Sequence, residues 1–354
     1  MKAIKSLSSM LWVAVMALMV SFATGFNPYV TFGVMVLGSF IVPRGMAFMA
    51  VTKEIWQKDI VNNLFKDNTF ALRAFNADIY VLVGKVVHIA TAGAPSQVKK
   101  NLTNFPATAT KRTDSDITYA IDTFYSMPRH IEEIEKFELE YDKRQSVLGE
   151  DQANLIQTAM DSLLYRWSPG AANCIATTGT ATPATLTGAT GNRKAFTKDV
   201  FGAIRLKMNK ANVLKTGRIA LLTSDHYAQF LNSLSEQEKT DVGRVADLAT
   251  GIVGRYLGFD IYERSSVSRY RGANIGVVAV VDEQDDAFAA TADDRAASLF
   301  YQEQCVERAK GEVRLFDSED RAEYYGSIYS MLMRLGGRIR RAAGVYAVVE
   351  ELTA

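Results

Sequence analysis

The chain has 354 residues, 48% of them hydrophobic, and its 40 Lys and Arg against 39 Asp and Glu leave a formal net charge of +1. That length allows two modest domains or one elaborated domain, and so flat a charge excludes a strong overall field for nucleic acid or an acidic surface. Two cysteines, Cys174 and Cys305, and three scattered histidines, His88, His130 and His226, exclude a disulfide framework and offer no metal-ligand spacing, so no metal or cofactor is expected.

The first 44 residues are apolar. Lys2 and Lys5 precede the run Met10 to Phe26, and Asn27-Pro28 leads to a second run, Tyr29 to Val42, closed by Pro43-Arg44. Three readings stand. A signal peptide would use Ser21-Phe22-Ala23 as its cleavage site, although a second apolar run then follows. A membrane hairpin would place Lys2, Lys5 and Arg44 on the cytoplasmic side, although each run is short of the roughly 20 residues a span needs. A pair of apolar helices packed against sister subunits needs no membrane.

From Thr52 the pattern is that of an amphipathic arm, with Trp56, Ile60 and Leu64 on one helical face. Ile79 to Ile89 is β-branched and strand-like, and Ile117, Tyr119 and Ile121 alternate with polar neighbours as in a half-buried strand. Between them lies a long polar stretch with Lys99, Lys100, Lys111 and Arg112 and too few apolar residues for a core. Such a segment is either an exposed surface loop or an arm that lies on a neighbour.

Ser126 to Trp167 predicts a long helix. Leu155, Ile156, Ala159, Met160, Leu163, Leu164 and Trp167 form a stripe in its second half, Ile131, Ile134, Phe137 and Tyr141 one in its first, and Gly149 predicts a break between them. Ser168 to Arg193 is rich in Gly, Ala and Thr and reads as a linker with no phosphate cradle. From Phe196 to Val281 helices alternate with strands: Thr197 is placed to cap the first helix, Thr223-Ser224-Asp225 the second, and strands fall at Arg218 to Leu222, Gly258 to Tyr262 and Ile275 to Val281. The tail predicts four more strands, at Ala297 to Tyr301, Val313 to Phe316, Ser327 to Leu335 and Val345 to Val349. Arg334, Arg338, Arg340 and Arg341 cluster around Gly336-Gly337; they face solvent, pair with carboxylates between subunits, or touch DNA. No GxSxG elbow, HExxH or cysteine–histidine signature is present, so the sequence is not read as an enzyme.

The ordered set of elements resembles the major capsid proteins of tailed double-stranded DNA phages, with the HK97-like α+β fold, in the branch from phages of Bacteroidota. The resemblance rests on Glu54-Ile55-Trp56 with Asp59-Ile60 and Leu64-Phe65, Gly84 to Ile89 leading to Ala92-Gly93, and Lys111-Arg112-Thr113-Asp114. Tyr141 to Leu148, Trp167, Tyr325 to Ser330 and Gly336-Gly337-Arg338 complete it. It implies a hydrophobic leader over 1–44, an N-terminal arm over 45–77, an extended E-loop over 78–125 and a P-domain spine helix over 126–167. An A-domain over 168–286 and closing P-domain strands over 287–354 follow.

The implied role is a shell-forming subunit of the virion, assembled in the host cytoplasm, or at the inner membrane if the leader contacts it. Its partners would be copies of itself in pentamers and hexamers, a portal, and scaffold or decoration proteins around enclosed DNA. Candidate inter-subunit contacts are Trp56, Lys85, Lys99, Lys100, Lys111, Arg112, Asp114, Arg334, Arg338 and Arg340. Some members crosslink through a lysine, but no motif transfers that chemistry to Lys85, Lys99 or Lys100. Many relatives carry a polar scaffolding segment where this chain is apolar. Two alternatives are an encapsulin-type compartment shell, which shares the fold, and a membrane-anchored exported binding protein.

Overall fold

The computed structural model describes residues 69–80, 86–101, 103, 105–106, 109–132, 143–247 and 249–353. The leader and most of the expected arm, Trp56 included, lie outside them, as does Lys85 of the expected E-loop. In chain order the strands are β1 (Phe75–Asn76), β2 (Val86–Thr91), β3 (Ser115–Ala120), β4 (Asp122–Tyr125), β5 (Arg129–Glu132), β6 (Cys174–Ala176), β7 (Ala181–Pro183) and β8 (Asn192–Lys194). They continue as β9 (Arg218–Thr223), β10 (Gly254–Tyr256), β11 (Phe259–Arg264), β12 (Ser268–Arg271), β13 (Ala279–Val281), β14 (Asp294–Gln302), β15 (Val306–Arg321), β16 (Gly326–Ile339) and β17 (Val345–Val349). The helices are α1 (Lys143–Trp167), α2 (Asp199–Lys210), α3 (Ser224–Ser233) and α4 (Glu236–Gly243).

One sheet is built on the long antiparallel pair β15 and β16, with β1 on the outer edge of β15 and β4 and β5 sharing the outer edge of β16. Along β16, Tyr329, Met331, Met333 and Leu335 are buried while Ile328, Ser330, Leu332 and Arg334 are half-buried, the period-two signature of a sheet covered on one face. α1 covers that face. Its stripe from Leu148 to Trp167 is buried at helical spacing, and Trp167 Nε1 donates to the Glu307 carbonyl at 2.9 Å. The helix comes closest at Gly337, where a Cβ would stand 2.3 Å from Leu163 Cδ1 and 2.6 Å from the Glu307 carbonyl oxygen.

The second sheet has eight strands. β14 is its axis: β17 runs along one edge, while the other edge pairs with β12 at Asp294 to Ala297 and with β9 at Leu299 to Gln302. β9 and β11 are parallel and their apolar residues are buried throughout, as sheets covered by helices require. α2 and α3 close over an aromatic core in which Phe201 meets Phe230, Phe300 and Phe259 at ring separations of 4.8, 5.0 and 5.9 Å. Thr223 caps α3 by accepting from His226 N at 3.2 Å. A capping box of Ser235 and Glu238 opens α4, and the backbone N–H of Ser235 together with Lys198 and the Ser235 hydroxyl hold the Glu238 carboxyl down to about 2.

Several expectations are corrected. Ser126 to Trp167 is not one helix: Arg129–Glu132 is strand β5, with Ile131 buried opposite Ser327 and its neighbours exposed. The edge of β16 offers this segment a ladder, and that outweighs its helical spacing. Residues 133–142 lie outside the described ones. α1 has no break at Gly149, where a Cβ would meet nothing within 4 Å; burial of the following stripe carries the helix through.

The Gly/Thr-rich connection is not only a linker. β6 extends the second sheet beside β17, and β7 pairs with β8. Thr197 does not cap α2, whose N-cap position is Lys198 without a side-chain bond. The expected strand at Ile275 to Val281 is a 3-10 turn followed by the short β13. Likewise the start of the expected strand Ile79 to Ile89 is a 3-10 turn at Asp78–Tyr80, while Val86–Thr91 is strand and residues 81–85 lie outside the described ones. The four tail strands exist but divide, β15 and β16 forming the first sheet while β14 and β17 form the centre of the second.

Candidate assembly interface

The hairpin β2–β3 is a sheet of its own, paired from Val86 opposite Ala120 to Thr91 opposite Ser115. Among the described residues, its apolar side chains Val87, Ile89, Ile117, Tyr119 and Ile121 cluster with Ala77 and Ala309 from the body. Among the described residues between β2 and β3 there is no helix or strand, and nearly all are exposed. Val98 and Phe105 stand 95% and 78% exposed there.

The neck of this loop is locally fastened. Arg112 and Asp114 form a two-pronged pair at 2.7 and 2.8 Å, and Asp114 Oδ1 accepts from the Gly93 N–H at 2.9 Å. The guanidinium and that N–H hold the Asp114 carboxyl below its ordinary value. A Cβ at Gly93 would stand 2.1 Å from the Thr113 carbonyl oxygen, so only glycine lets the two strands close here. Lys99, Lys100 and Lys111 are exposed on the loop beyond this neck.

At its root the hairpin is tied to the first sheet by polar contacts. Tyr119 Oη donates to Glu307 Oε1 at 3.1 Å, and Arg340 Nε lies 3.0 Å from Glu307 Oε2. Burial pushes the Glu307 carboxyl up, against the pull of Tyr119 and Arg340. Burial and the neighbouring Glu307 raise the Tyr119 phenol far above its ordinary value, which keeps it a donor. Arg340 also lies over the Phe75 ring at 3.9 Å, and Arg338 Nη1 donates to the Thr118 carbonyl at 2.8 Å. Asp122, one residue past the bend at Ile121, accepts from Arg166 Nε of α1 at 2.8 Å. The clustered arginines are therefore split. Arg338 and Arg340 hold the hairpin root, and Arg334 stands half-buried on β16 opposite Thr123.

Sequence reasoning picked out Arg338 and Arg340 but missed Glu307, which pairs with Arg340, and Asp122, which pairs with Arg166. The only signal was a carboxylate in the first two residues of each strand, which is too common to single out.

One constellation has the outline of a catalytic one. His226 Nδ1 is 2.7 Å from Ser298 Oγ and its Nε2 is 3.4 Å from Glu350 Oε1. Both Ser298 and His226 are fully buried, with the imidazole stacked on Phe196 at 5.3 Å and Ser298 Oγ accepting from the Thr223 N–H. No substrate reaches that hydroxyl; the group pins the start of α3 to β14. Among the described residues no set of three or more His, Cys, Asp or Glu could hold a metal, and no helix is long and apolar enough to cross a membrane.

No family model and no curated protein matches the chain. Solved structures do. The capsid of Ralstonia phage GP4 aligns over 80% of this chain and 88% of its own, at 10% identity and a TM-score of 0.54. The chain has the HK97-like fold. A cyanophage Pam1 capsid subunit aligns over 78% and 88% of the two chains at 13% identity and TM-score 0.52. A virus-like particle from Pyrococcus furiosus aligns over 84% and 99% at 8% identity and TM-score 0.51.

Proposed function

We propose that the chain is the major capsid protein of a tailed double-stranded DNA phage, in the branch found in phages of Bacteroidota, and that it assembles with copies of itself into a closed icosahedral shell around the genome. The observation that carries this is the joint one: a fold shared with capsid subunits over four-fifths of the chain, and a hairpin with exposed apolar side chains and no core of its own. Residues 78–125 would be the E-loop, with Lys99, Lys100, Lys111, Val98 and Phe105 meeting the next subunit. α1 with the β15–β16 sheet would be the P-domain and the eight-stranded sheet with its helices the A-domain. Trp56, Lys85 and Arg334 remain candidate contacts, while Arg112, Asp114, Arg338 and Arg340 would act by holding the hairpin in shape. Many weak contacts repeated around a shell give stability through avidity, and a net charge of +1 suits a wall that encloses DNA without gripping it. A portal and scaffold or decoration proteins would be its partners.

A second reading, a compartment shell that encloses a cargo protein, is supported by the alignment that spans 99% of the Pyrococcus furiosus virus-like particle chain. Electron microscopy of the purified full chain, followed by nuclease-protection analysis of native particles, tests both. Closed shells with protected DNA support the phage reading, shells with an enclosed protein and no nucleic acid support the compartment, and small species at every salt and protein concentration overturn both.

A further inference from the structure

Around the second sheet charge is segregated, although the chain as a whole is nearly neutral. Residues 200–224 hold Arg205, Lys207, Lys210, Lys215 and Arg218 and no Asp or Glu. Residues 272–294 hold Asp282, Glu283, Asp285, Asp286, Asp293 and Asp294 and no Lys or Arg. The fold sets the two stretches apart. The turn after α2 lies at one end of β14, where Gln302 Nε2 donates to the Thr216 carbonyl at 3.3 Å and the Glu303 N–H to the Gly217 carbonyl at 3.0 Å. The loop after β13 rejoins the sheet at Asp294, the other end of β14, about 27 Å away along the strand.

Both stretches are fixed in shape and left electrically open. Buried Arg218 donates to the carbonyls of Leu214 and Val213 at 2.8 Å each and to Asn209 Oδ1 at 2.9 Å, so the turn is held from inside. Arg205, Lys207, Lys210 and Lys215 stand exposed around it, and among the described residues none of them pairs with a carboxylate. Burial and the neighbouring Arg205 both press the Arg218 guanidinium below its ordinary value. Leu206 and Leu214 are 54% and 52% exposed between these cations. On the acidic loop Glu283 and Asp294 are answered by Arg269 and Arg271. Asp282, Asp285, Asp286 and Asp293 have no ion pair among the described residues. Arg271 Nη2 and Arg193 Nη2 hold the loop's backbone through the carbonyls of Ala289 at 2.7 Å and Ala292 at 3.0 Å.

We propose that these surfaces are the two halves of one contact between copies of this chain: the cationic turn after α2 of one copy docks on the acidic β13–β14 loop of the next. The open charges on one half are opposite in sign to those on the other, and such matching steers approach and rejects a wrong orientation. A two-fold contact uses the same patch on both copies. Halves at opposite ends of β14 instead make a head-to-tail contact, which closes into a ring where the rotation allows. Salt weakens a contact of this kind, because its charges are exposed. The assignment rests on the reading that the chain assembles with itself, and not on what the shell encloses.

The test is charge reversal in the full chain. One variant carries Lys207→Glu, Lys210→Glu and Lys215→Glu, a second Asp285→Lys, Asp286→Lys and Asp293→Lys, and a third both sets; thermal unfolding checks that each is folded. At the protein concentration where wild type assembles, the first two are expected to lose assembly by size-exclusion chromatography and electron microscopy, and the third to regain it. Carbodiimide crosslinking of mixed light- and heavy-isotope wild-type chains should join Lys207, Lys210 or Lys215 of one copy to a carboxylate within 282–293 of another. The yield should fall as salt rises from about 0.05 to about 0.5 M. Equal assembly of all three variants, failure of the third as complete as that of the first two, or a first variant that loses only DNA binding overturns the assignment. Wild-type shells without these links sink only this claim, links in small oligomers that never close into shells sink only the capsid reading, and a wild type that neither assembles nor links sinks both.

Discussion

The eight-stranded sheet and the β2–β3 hairpin are opposites in how they are held. The sheet has helices over an aromatic core, and its buried charges are answered from within. Asp294 is fully buried, accepts from the Thr291 N–H and hydroxyl at 2.9 Å each, and meets Arg271 Nε at 2.6 Å and Arg269 Nη1 at 3.0 Å. Burial works against its charge, yet these partners hold its carboxyl well below the usual range. The hairpin has a few apolar side chains at its root and exposed ones beyond. The contrast is between a body that buries its own apolar core and a limb that leaves large apolar side chains exposed, and the proposed assembly places a neighbour on the limb.

The largest expected effect comes from breaking the body. Asp294→Ala leaves two arginines without their shared carboxylate, and removing one partner from a buried pair typically destabilises by about 3–5 kcal/mol; urea denaturation of wild type and variant would read this as a lower midpoint. The pH dependence has a definite sign. A carboxyl whose folded value is depressed contributes stability above its unfolded value of about 3.9, and that contribution is lost as pH falls through the folded value. The gap between wild type and Asp294→Ala should therefore be full at neutral pH and shrink as the pH drops below about 4.

Next come the seat of α1 on the first sheet and the joint between body and limb. Gly337→Ala forces a methyl between Leu163, Trp167 and the Glu307 carbonyl, and overpacking of that kind costs about 1–3 kcal/mol, read by thermal unfolding. Tyr119→Phe removes the hydroxyl that Glu307 accepts from. The expected loss is about 1–3 kcal/mol, localised: hydrogen exchange should quicken in β2 and β3 and stay unchanged in β9 and β14. A uniform change across both regions would show that the hairpin is part of the body's cooperative unit. The smallest effect on the subunit belongs to the limb's tip. Val98→Ser with Phe105→Ser should shift stability by no more than about 0.5 kcal/mol, while shell yield by size-exclusion chromatography drops.

Much of the body was legible in the sequence because its elements announce themselves locally. The stripe ending at Trp167, the buried run Arg218 to Leu222 and the Thr223 cap all rest on spacing within a dozen residues. The hairpin's exposed loop was legible for the opposite reason, a lack of apolar residues. What sequence could not show was pairing at a distance. Ile131 lies in a glutamate-rich stretch with helical spacing, and only the edge of β16, some 195 positions later, makes it a strand. β14 and β15 are neighbours in sequence, yet a turn at Glu303–Cys305 sends them into different sheets. Glu307 gains its role at the hairpin root from Tyr119 and Arg340, neither of which is near it in sequence.

The most direct measurement removes the limb. A variant in which residues 94–111 are replaced by two glycines keeps the neck pair Arg112–Asp114 and the root contacts. Denaturation and electron microscopy are then read on the same preparation. The account predicts a folded subunit with a nearly unchanged urea midpoint that no longer forms closed shells under conditions where the full chain does. Closed shells of the same size and yield from the shortened chain would contradict it.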